Sequence, residues 1–146
     1  MRLLTALLVL LVTSAHPFAQ ERTITIGVDD SMKFSVTSMT AAPGEKLKVV
    51  LKSKGTLPKM AMAHNFVLLA LGTKPDAFIK AGAADRSTDF IAPAERSKVI
   101  AATAMVGPGE TAEVSFTVPD KKGVYPFLCT FTGHYALGMK GTLTVR

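Results

Sequence analysis

Residues 129–139 read Cys-Thr-Phe-Thr-Gly-His-Tyr-Ala-Leu-Gly-Met and directly follow an apolar run. The stretch places a thiolate (Cys129), an imidazole (His134) and a thioether (Met139) within eleven residues. Trigonal copper sites use these donors, with two histidines and a cysteine in the plane and a weak methionine on the axis. Cys129 is the only cysteine in the chain, so a disulfide within the chain is excluded. The stretch therefore indicates metal chemistry.

The glycines of this stretch fit the turns that such a site needs. Metal–nitrogen and metal–sulfur bonds of about 2.0–2.3 Å require the side chains of Cys129 and His134 to meet, so the chain must turn sharply between them. Gly133 is predicted to supply that turn. Gly138 is predicted to allow a second turn, after which Met139 approaches from a third direction.

Residues 1–19 have the pattern of a secretory signal peptide. Arg2 precedes the apolar run Leu3 to Val12, and small residues follow it. The run is too short to span a membrane. Cleavage after Ala19 is the preferred interpretation, cleavage after Ala15 stays open, and an uncleaved anchor is the alternative. We therefore predict a periplasmic or otherwise exported protein with one domain at residues 20–146.

The composition of residues 20–146 fits one domain with its own hydrophobic core. Sixteen Lys and Arg face eleven Asp and Glu, a net charge of +5. The longest basic cluster is spaced like the solvated face of a strand and loop, and we predict no nucleic-acid binding. Its members are Lys46, Lys48, Lys52, Lys54 and Lys59. Steering toward an acidic redox partner is the alternative interpretation of this cluster.

His64 completes a candidate ligand set. If cleavage follows Ala19, His16 is removed and two histidines, His64 and His134, remain beside Cys129. A trigonal copper site needs two imidazoles and one thiolate, and these two histidines and the cysteine supply them. His64 stands at the head of one apolar run and Cys129 at the end of another, so two strand ends can converge at one pole of a sandwich.

Most of the remaining sequence has the period-two pattern of half-buried strands. Apolar side chains alternate with polar neighbours in four stretches: residues 24–28, 47–51, 112–118 and 141–145. The turn sequence Pro-Gly-Glu occurs at residues 43–45 and 108–110, each time before an alternating strand. We predict an all-β fold, a β-sandwich, in which this turn is one device used twice.

Residues 72–96 interrupt the strand pattern. Pro75 is predicted to start a short helix through Ala81, with Gly82 near its end. Residues 85–93 are polar and predicted to form a loop. We interpret the whole segment as a covering insertion without evident chemistry.

The chain resembles the azurin-like cupredoxins over nearly all of residues 20–146. The resemblance is densest in residues 55–59, 62–68, 99–101 and 129–144. It implies a Greek-key β-sandwich with a mononuclear blue-copper centre that passes single electrons. By position it makes His64, Cys129 and His134 the equatorial ligands and Met139 the axial one, with Asn65 tying the two ligand-bearing segments together.

The sequence departs from azurins at four points. Four residues separate His134 from Met139, a spacing closer to that of auracyanins. Ala63 stands where azurins have a glycine whose carbonyl lies opposite the methionine, so a backbone contact to the metal there is weak or absent. Thr132 replaces a common loop proline, and the azurin disulfide is missing.

The predicted function is single-electron transfer by copper between redox proteins, with cytochromes or a terminal reductase as candidate partners. We predict no enzymatic activity and no small-molecule substrate. His134 is the predicted solvent-edge ligand, surrounded by a candidate apolar docking patch: Met32, Leu57, Pro58, Met62 and Phe131.

Two other functions remain as alternatives. One is copper carriage without electron transfer, through the methionines at positions 32, 39, 60, 62 and 105. The other is thiol catalysis, with Cys129 as nucleophile and His134 as base.

Overall fold

The computed structural model describes residues 20–146, so the predicted signal peptide, residues 1–19, lies outside the described residues. The described chain is a β-sandwich of two sheets, as predicted. One sheet has the strand order β1-β3-β6 and the other β2-β8-β7-β4-β5. The strands are β1 (Arg22–Val28), β2 (Ser38–Ala41), β3 (Lys46–Ser53), β4 (Val67–Leu69), β5 (Val99–Ala102), β6 (Thr111–Thr117), β7 (Gly123–Leu128) and β8 (Lys140–Val145).

The period-two pattern places one face of each sheet in a shared core. In β1 and β3 the side chains of Ile26, Leu47 and Val49 are fully buried, while the lysines of β3 point outward or are half-buried. Strand β6 departs from the expectation, because its inward side chains are only half-buried. It is the edge strand beside β3, so it has a neighbour on one side only.

The two Pro-Gly-Glu turns use the same device, as predicted. Gly44 and Gly109 adopt φ angles of +72° and +70°, the left-handed region that favours glycine. The Glu45 carboxylate accepts the backbone N–H of Ala42 at 2.8 Å, and the Glu110 carboxylate accepts that of Gly107 at 3.0 Å. Each glutamate thus closes its own turn before the next strand.

The insertion has more structure than predicted. Helix α1 spans Pro75–Gly82, in agreement with the expectation, but two 3₁₀ helices follow at Arg86–Thr88 and Pro93–Lys98. The prediction of a loop over residues 85–93 was therefore partly wrong. Phe90 and Ile91 are buried. Ile91 packs with Val67, Leu69 and Leu128 of the sheet, and the Phe90 ring packs against that of Phe131, so a segment that looked polar is ordered.

None of the helices described within residues 20–146 is long and apolar enough to span a membrane.

Candidate metal centre

Two strand ends and the loop between β7 and β8 bring His64, Cys129 and His134 together at one pole of the sandwich. Cys129 directly follows β7, and His64 forms an isolated bridge with Val106 ahead of β4. One potential donor atom from each of the three lies within 4.8 Å of the others, and all three residues are buried. The Cys129 sulfur lies 3.6 Å from Nδ1 of His134. The predicted convergence of two strand ends is therefore what the structure shows.

Glycine turns fold the 129–139 stretch back on itself. Gly133 and Gly138 adopt φ angles of +88° and +95°, so each makes the turn predicted for it. The backbone N–H of Cys129 donates to the carbonyl of Met139 at 3.1 Å, and the N–H of Met139 donates to the carbonyl of His134 at 3.0 Å. These bonds hold the backbones of all three candidate ligands in one closed loop.

Burial distinguishes the four candidate ligands. His64, Cys129 and Met139 are 0% exposed, whereas His134 is 3% exposed. His134 is thus the one member of the set with any edge toward solvent, although that edge is smaller than its position in a loop suggests. It is nearly covered because the Phe131 ring lies 4.7 Å away, centroid to centroid.

The donor set fits a metal ion. Both ring nitrogens of His64 are buried without a hydrogen-bond partner, and within residues 20–146 no other buried side-chain nitrogen or oxygen is in that state. An unpartnered buried imidazole is costly, and coordination of a cation removes the cost. The His64–His134 ring separation of 4.9 Å leaves the two imidazoles facing the same small volume.

The pocket without metal favours neutral ligands. Burial, together with the neighbouring His64, lowers the pKa of His134 to about 4. Burial also raises the pKa of the Cys129 thiol to about 12, although it accepts hydrogen bonds from the backbone N–H groups of Asn65 and Phe131. A buried thiol with a raised pKa is a poor nucleophile, so this environment does not favour thiol catalysis.

Asn65 hydrogen-bonds Thr130 and so joins the segment that contains His64 to the segment that contains Cys129. Its side-chain oxygen accepts the backbone N–H of Thr130 at 2.9 Å, and its Nδ2 donates to the Thr130 hydroxyl at 2.8 Å. That hydroxyl lies 2.6 Å from the backbone carbonyl of Asp89 and donates to it. The insertion therefore supports the centre through Asp89, which the sequence analysis missed because a backbone carbonyl leaves no sequence signal.

Three further contacts fix the loop between His134 and Met139. Lys33 donates from Nζ to the carbonyl of Leu137. Tyr135 is hydrogen-bonded to the side chain of Asp76 in α1, and Nζ of Lys140 lies 4.6 Å from the centre of its ring. None of these contacts was predicted, and those with Lys33 and Asp76 join residues far apart in the chain.

The structure does not favour the methionine-based carrier. Met39 is buried in the core, which explains it without a metal. Met60 is the exposed one, yet its sulfur lies 3.9 Å from Nη1 of Arg86. A fixed guanidinium beside the sulfur repels a copper ion.

A β-sandwich with a buried His-Cys-His cluster at one pole defines the chain as a cupredoxin. The family model for copper-binding proteins of the plastocyanin/azurin family matches residues 21–146. Azurin of Pseudomonas aeruginosa is 37% identical over 149 aligned residues, which cover 100% of this chain and 99% of azurin.

Solved auracyanin structures are similar in both fold and sequence. Auracyanin A of Chloroflexus aurantiacus superposes with a TM-score of 0.74 at 31% identity, covering 87% of this chain and 100% of that one. Dithionite-reduced auracyanin of Roseiflexus castenholzii gives a TM-score of 0.73 at 34% identity, covering 85% and 96%. The chain belongs to the plastocyanin/azurin family of copper-binding proteins. Its cofactor is copper at a single mononuclear site, and its general function is electron transfer.

Proposed function

We propose that His64, Cys129 and His134 would hold this copper, with the thioether of Met139 as a weaker donor, and that the protein carries single electrons between redox proteins in the periplasm. The observation that carries the ligand assignment is the buried, unpartnered imidazole of His64, one ring nitrogen of which lies within 4.8 Å of donor atoms of Cys129 and His134. A carbonyl contact from the buried Ala63 is weak or absent in this proposal.

The bound copper supplies the one-electron change, which a His₂Cys set with a weak thioether allows in both oxidation states. The chain's own residues provide the rest. The backbone N–H groups of Asn65 and Phe131 hydrogen-bond the Cys129 sulfur and stabilise its thiolate form. The closed loop and the Asn65–Thr130 hydrogen bonds hold the ligands in place, so little needs to move during electron transfer.

The burial of the cluster supports a carrier and not an enzyme. Cys129 and His64 are 0% exposed, so a small-molecule substrate has no contact with them. An electron passes through a protein edge without such contact, and His134 supplies the edge. Cytochromes or a terminal reductase are the proposed partners, and the signal-like pattern of residues 1–19 supports export.

A spectrum tests the ligand assignment. Cu(II) added to the purified, thiol-reduced protein should give an intense thiolate-to-copper band in the visible region. Cys129→Ser should abolish the band, and His64→Ala should remove or strongly alter it, whereas Met60→Leu, at an exposed methionine outside the set, should leave it intact. A wild-type protein without the band, or a Cys129→Ser protein with it, would refute the proposed site.

A further inference from the structure

Arg86 is an exposed cation held in a fixed position beside the metal centre. It begins the first 3₁₀ helix of the insertion and lines a shallow pocket with Met60, Phe90 and Phe131. Its guanidinium carbon lies 5.8 Å from the ring centre of Phe90 and 6.0 Å from that of Phe131. Its Nη2 donates to the Met60 carbonyl at 3.3 Å. Aromatic faces and a backbone carbonyl therefore orient this side chain.

The charge of Arg86 is not neutralised by a carboxylate. None of the ion pairs found within residues 20–146 includes it. The neighbouring lysine of the pocket, Lys59, is paired with Glu110 at 2.6 Å. Asp85 accepts hydrogen bonds from Ser87 and Thr88, and Asp89 lines the same pocket without pairing with Arg86. A guanidinium has five N–H donors, so most of those on Arg86 remain available to a partner.

Arg86 lies close to the proposed exit for electrons. The Phe131 ring, on which the guanidinium rests, is 4.7 Å from the His134 ring. Met60, which lines the same pocket as Arg86, is 74% exposed and places an apolar surface beside the charge. The surface thus combines an apolar contact area with a single oriented positive charge.

We propose that Arg86 is the recognition point for an acidic redox partner, one of whose surface carboxylates pairs with the guanidinium while apolar residues of the partner cover Met60. A planar guanidinium binds a carboxylate through two parallel hydrogen bonds, which fixes orientation as well as attraction. The net charge of +5 on residues 20–146 adds long-range attraction to the same class of partner. This inference rests on the proposed electron-transfer function and adds the chemical class of its partner.

The test uses one haem protein in two charge states. Native cytochrome c has a lysine-rich surface, and succinylation of its lysines makes that surface acidic. Stopped-flow measurements of electron exchange at low ionic strength should show the copper-loaded wild type reacting faster with the succinylated form. Arg86→Gln should lower that rate about tenfold and raise the rate with native cytochrome c.

Two control variants separate local pairing from other effects. Lys122→Gln removes the same charge from the β6–β7 turn, away from the metal pole, and should change either rate by less than about twofold. Arg86→Lys keeps the charge but loses the planar fork, so we expect a smaller loss. A change in copper potential would move both rates in the same direction, whereas lost charge complementarity moves them in opposite directions.

Binding provides a readout independent of electron transfer. In an NMR titration with the succinylated protein, shifts should centre on Arg86, Met60 and Phe131 in the wild type and weaken in Arg86→Gln. The inference is overturned if Arg86→Gln and Lys122→Gln behave alike, or if Arg86→Gln moves both rates in the same direction. If the wild type exchanges electrons with neither form, the proposed function itself fails.

Discussion

Lys33 and Leu137, 104 residues apart in the chain, are joined by a hydrogen bond from the lysine Nζ to the backbone carbonyl. Leu137 lies between His134 and Met139, so the contact fixes the part of the ligand loop in which the family resemblance showed an additional residue. Gly138, the next residue, leaves the space for it, because a Cβ there would lie 2.7 Å from the lysine Nζ. The longer loop is thus hydrogen-bonded to the segment between β1 and β2.

Gly138→Ala should alter the copper site, while Gly109→Ala should not. Both glycines have left-handed φ angles, +95° and +70°, so each alanine should lower the free energy of unfolding by about 1–2 kcal/mol. Only Gly138 lies beside Met139. In urea-unfolding experiments we expect the larger loss for Gly138→Ala, because its Cβ would also displace the Lys33 Nζ whereas Gly109 has open space around it, and a changed visible and EPR spectrum for Gly138→Ala alone. Unchanged spectra for both variants would contradict this role of the loop.

Lys33→Met should loosen the ligand loop without removing the copper. The hydrogen bond is exposed, so the loss of stability should be about 1 kcal/mol or less. EPR of the copper-loaded protein should show altered hyperfine splitting, because Met139 is held less firmly. Lys54→Met, another exposed lysine of the same surface cleft, is the control and should leave the EPR signal unchanged. Equal EPR changes in the two variants would show that the lost positive charge, and not the lost contact with Leu137, alters the copper site.

The sequence predicted the parts of this molecule that depend on local patterns. The alternation of apolar and polar residues identified β1, β3 and β8, and Pro75 marked the start of α1. The two Pro-Gly-Glu turns were recognised as the same type of turn before a strand. The lone Cys129 and the scarcity of histidine led to a cluster that the structure does assemble. Each of these signals is contained within a few neighbouring residues or in a count of residue types.

Contacts between distant segments left no such signal. Residues 85–93 are polar by composition, yet Ile91 packs on the sheet, Phe90 packs against Phe131, and the Asp89 carbonyl accepts from Thr130. Arg86 likewise looks like an ordinary surface residue until its position over Phe131 is known. Which backbone carbonyl or which aromatic face meets a given side chain is decided by tertiary packing, which the sequence pattern does not encode.

Thr130→Val should destabilise the protein and perturb the copper site together. Valine keeps the shape but removes the hydroxyl that accepts from Asn65 and donates to Asp89, leaving buried polar groups without partners. The expected loss is about 2–3 kcal/mol in the free energy of unfolding. Thr132→Val, at an exposed threonine two residues away, should cost less than about 0.5 kcal/mol. A Thr130→Val protein as stable as Thr132→Val would show that the network is dispensable.

Met139→Leu tests the axial assignment. Leucine has a similar volume, so the fold should lose less than about 1.5 kcal/mol, and the three remaining ligands should keep the thiolate-to-copper band. Loss of a sulfur donor should raise the reduction potential, since the oxidised ion depends more on donated electron density. Redox titration measures the direction in which the reduction potential changes, and Met60→Leu, at a methionine outside the proposed ligand set, is the matched control. An unchanged potential would mean that Met139 does not contact the metal.

The stability of the copper-free protein should fall as the pH drops from about 6.5 to about 4. His134 has an ordinary pKa of 6.5 when unfolded, and burial followed by the charge of His64 lowers its pKa to about 4 in the fold. Within that window the unfolded chain binds more protons than the folded one, so acidification favours unfolding. Across the whole pH window, a pKa shift of this size changes the free energy of unfolding by about 3 kcal/mol.

Urea-unfolding curves of the chelator-treated protein between pH 7 and 4 measure this dependence. His134→Gln removes the titrating group and should flatten the profile, leaving the smaller contribution of His64, whose pKa is also lowered by burial. The carboxyl groups do not produce the same profile. Hydrogen bonds from Thr56 lower the pKa of Asp30, and a hydrogen bond from Arg22 lowers that of Glu45. The contribution of these carboxylates to stability is therefore retained at pH 5 and lost only at lower pH. A wild-type profile as flat as that of His134→Gln between pH 6.5 and 5 would show that the imidazole is not desolvated in the folded protein.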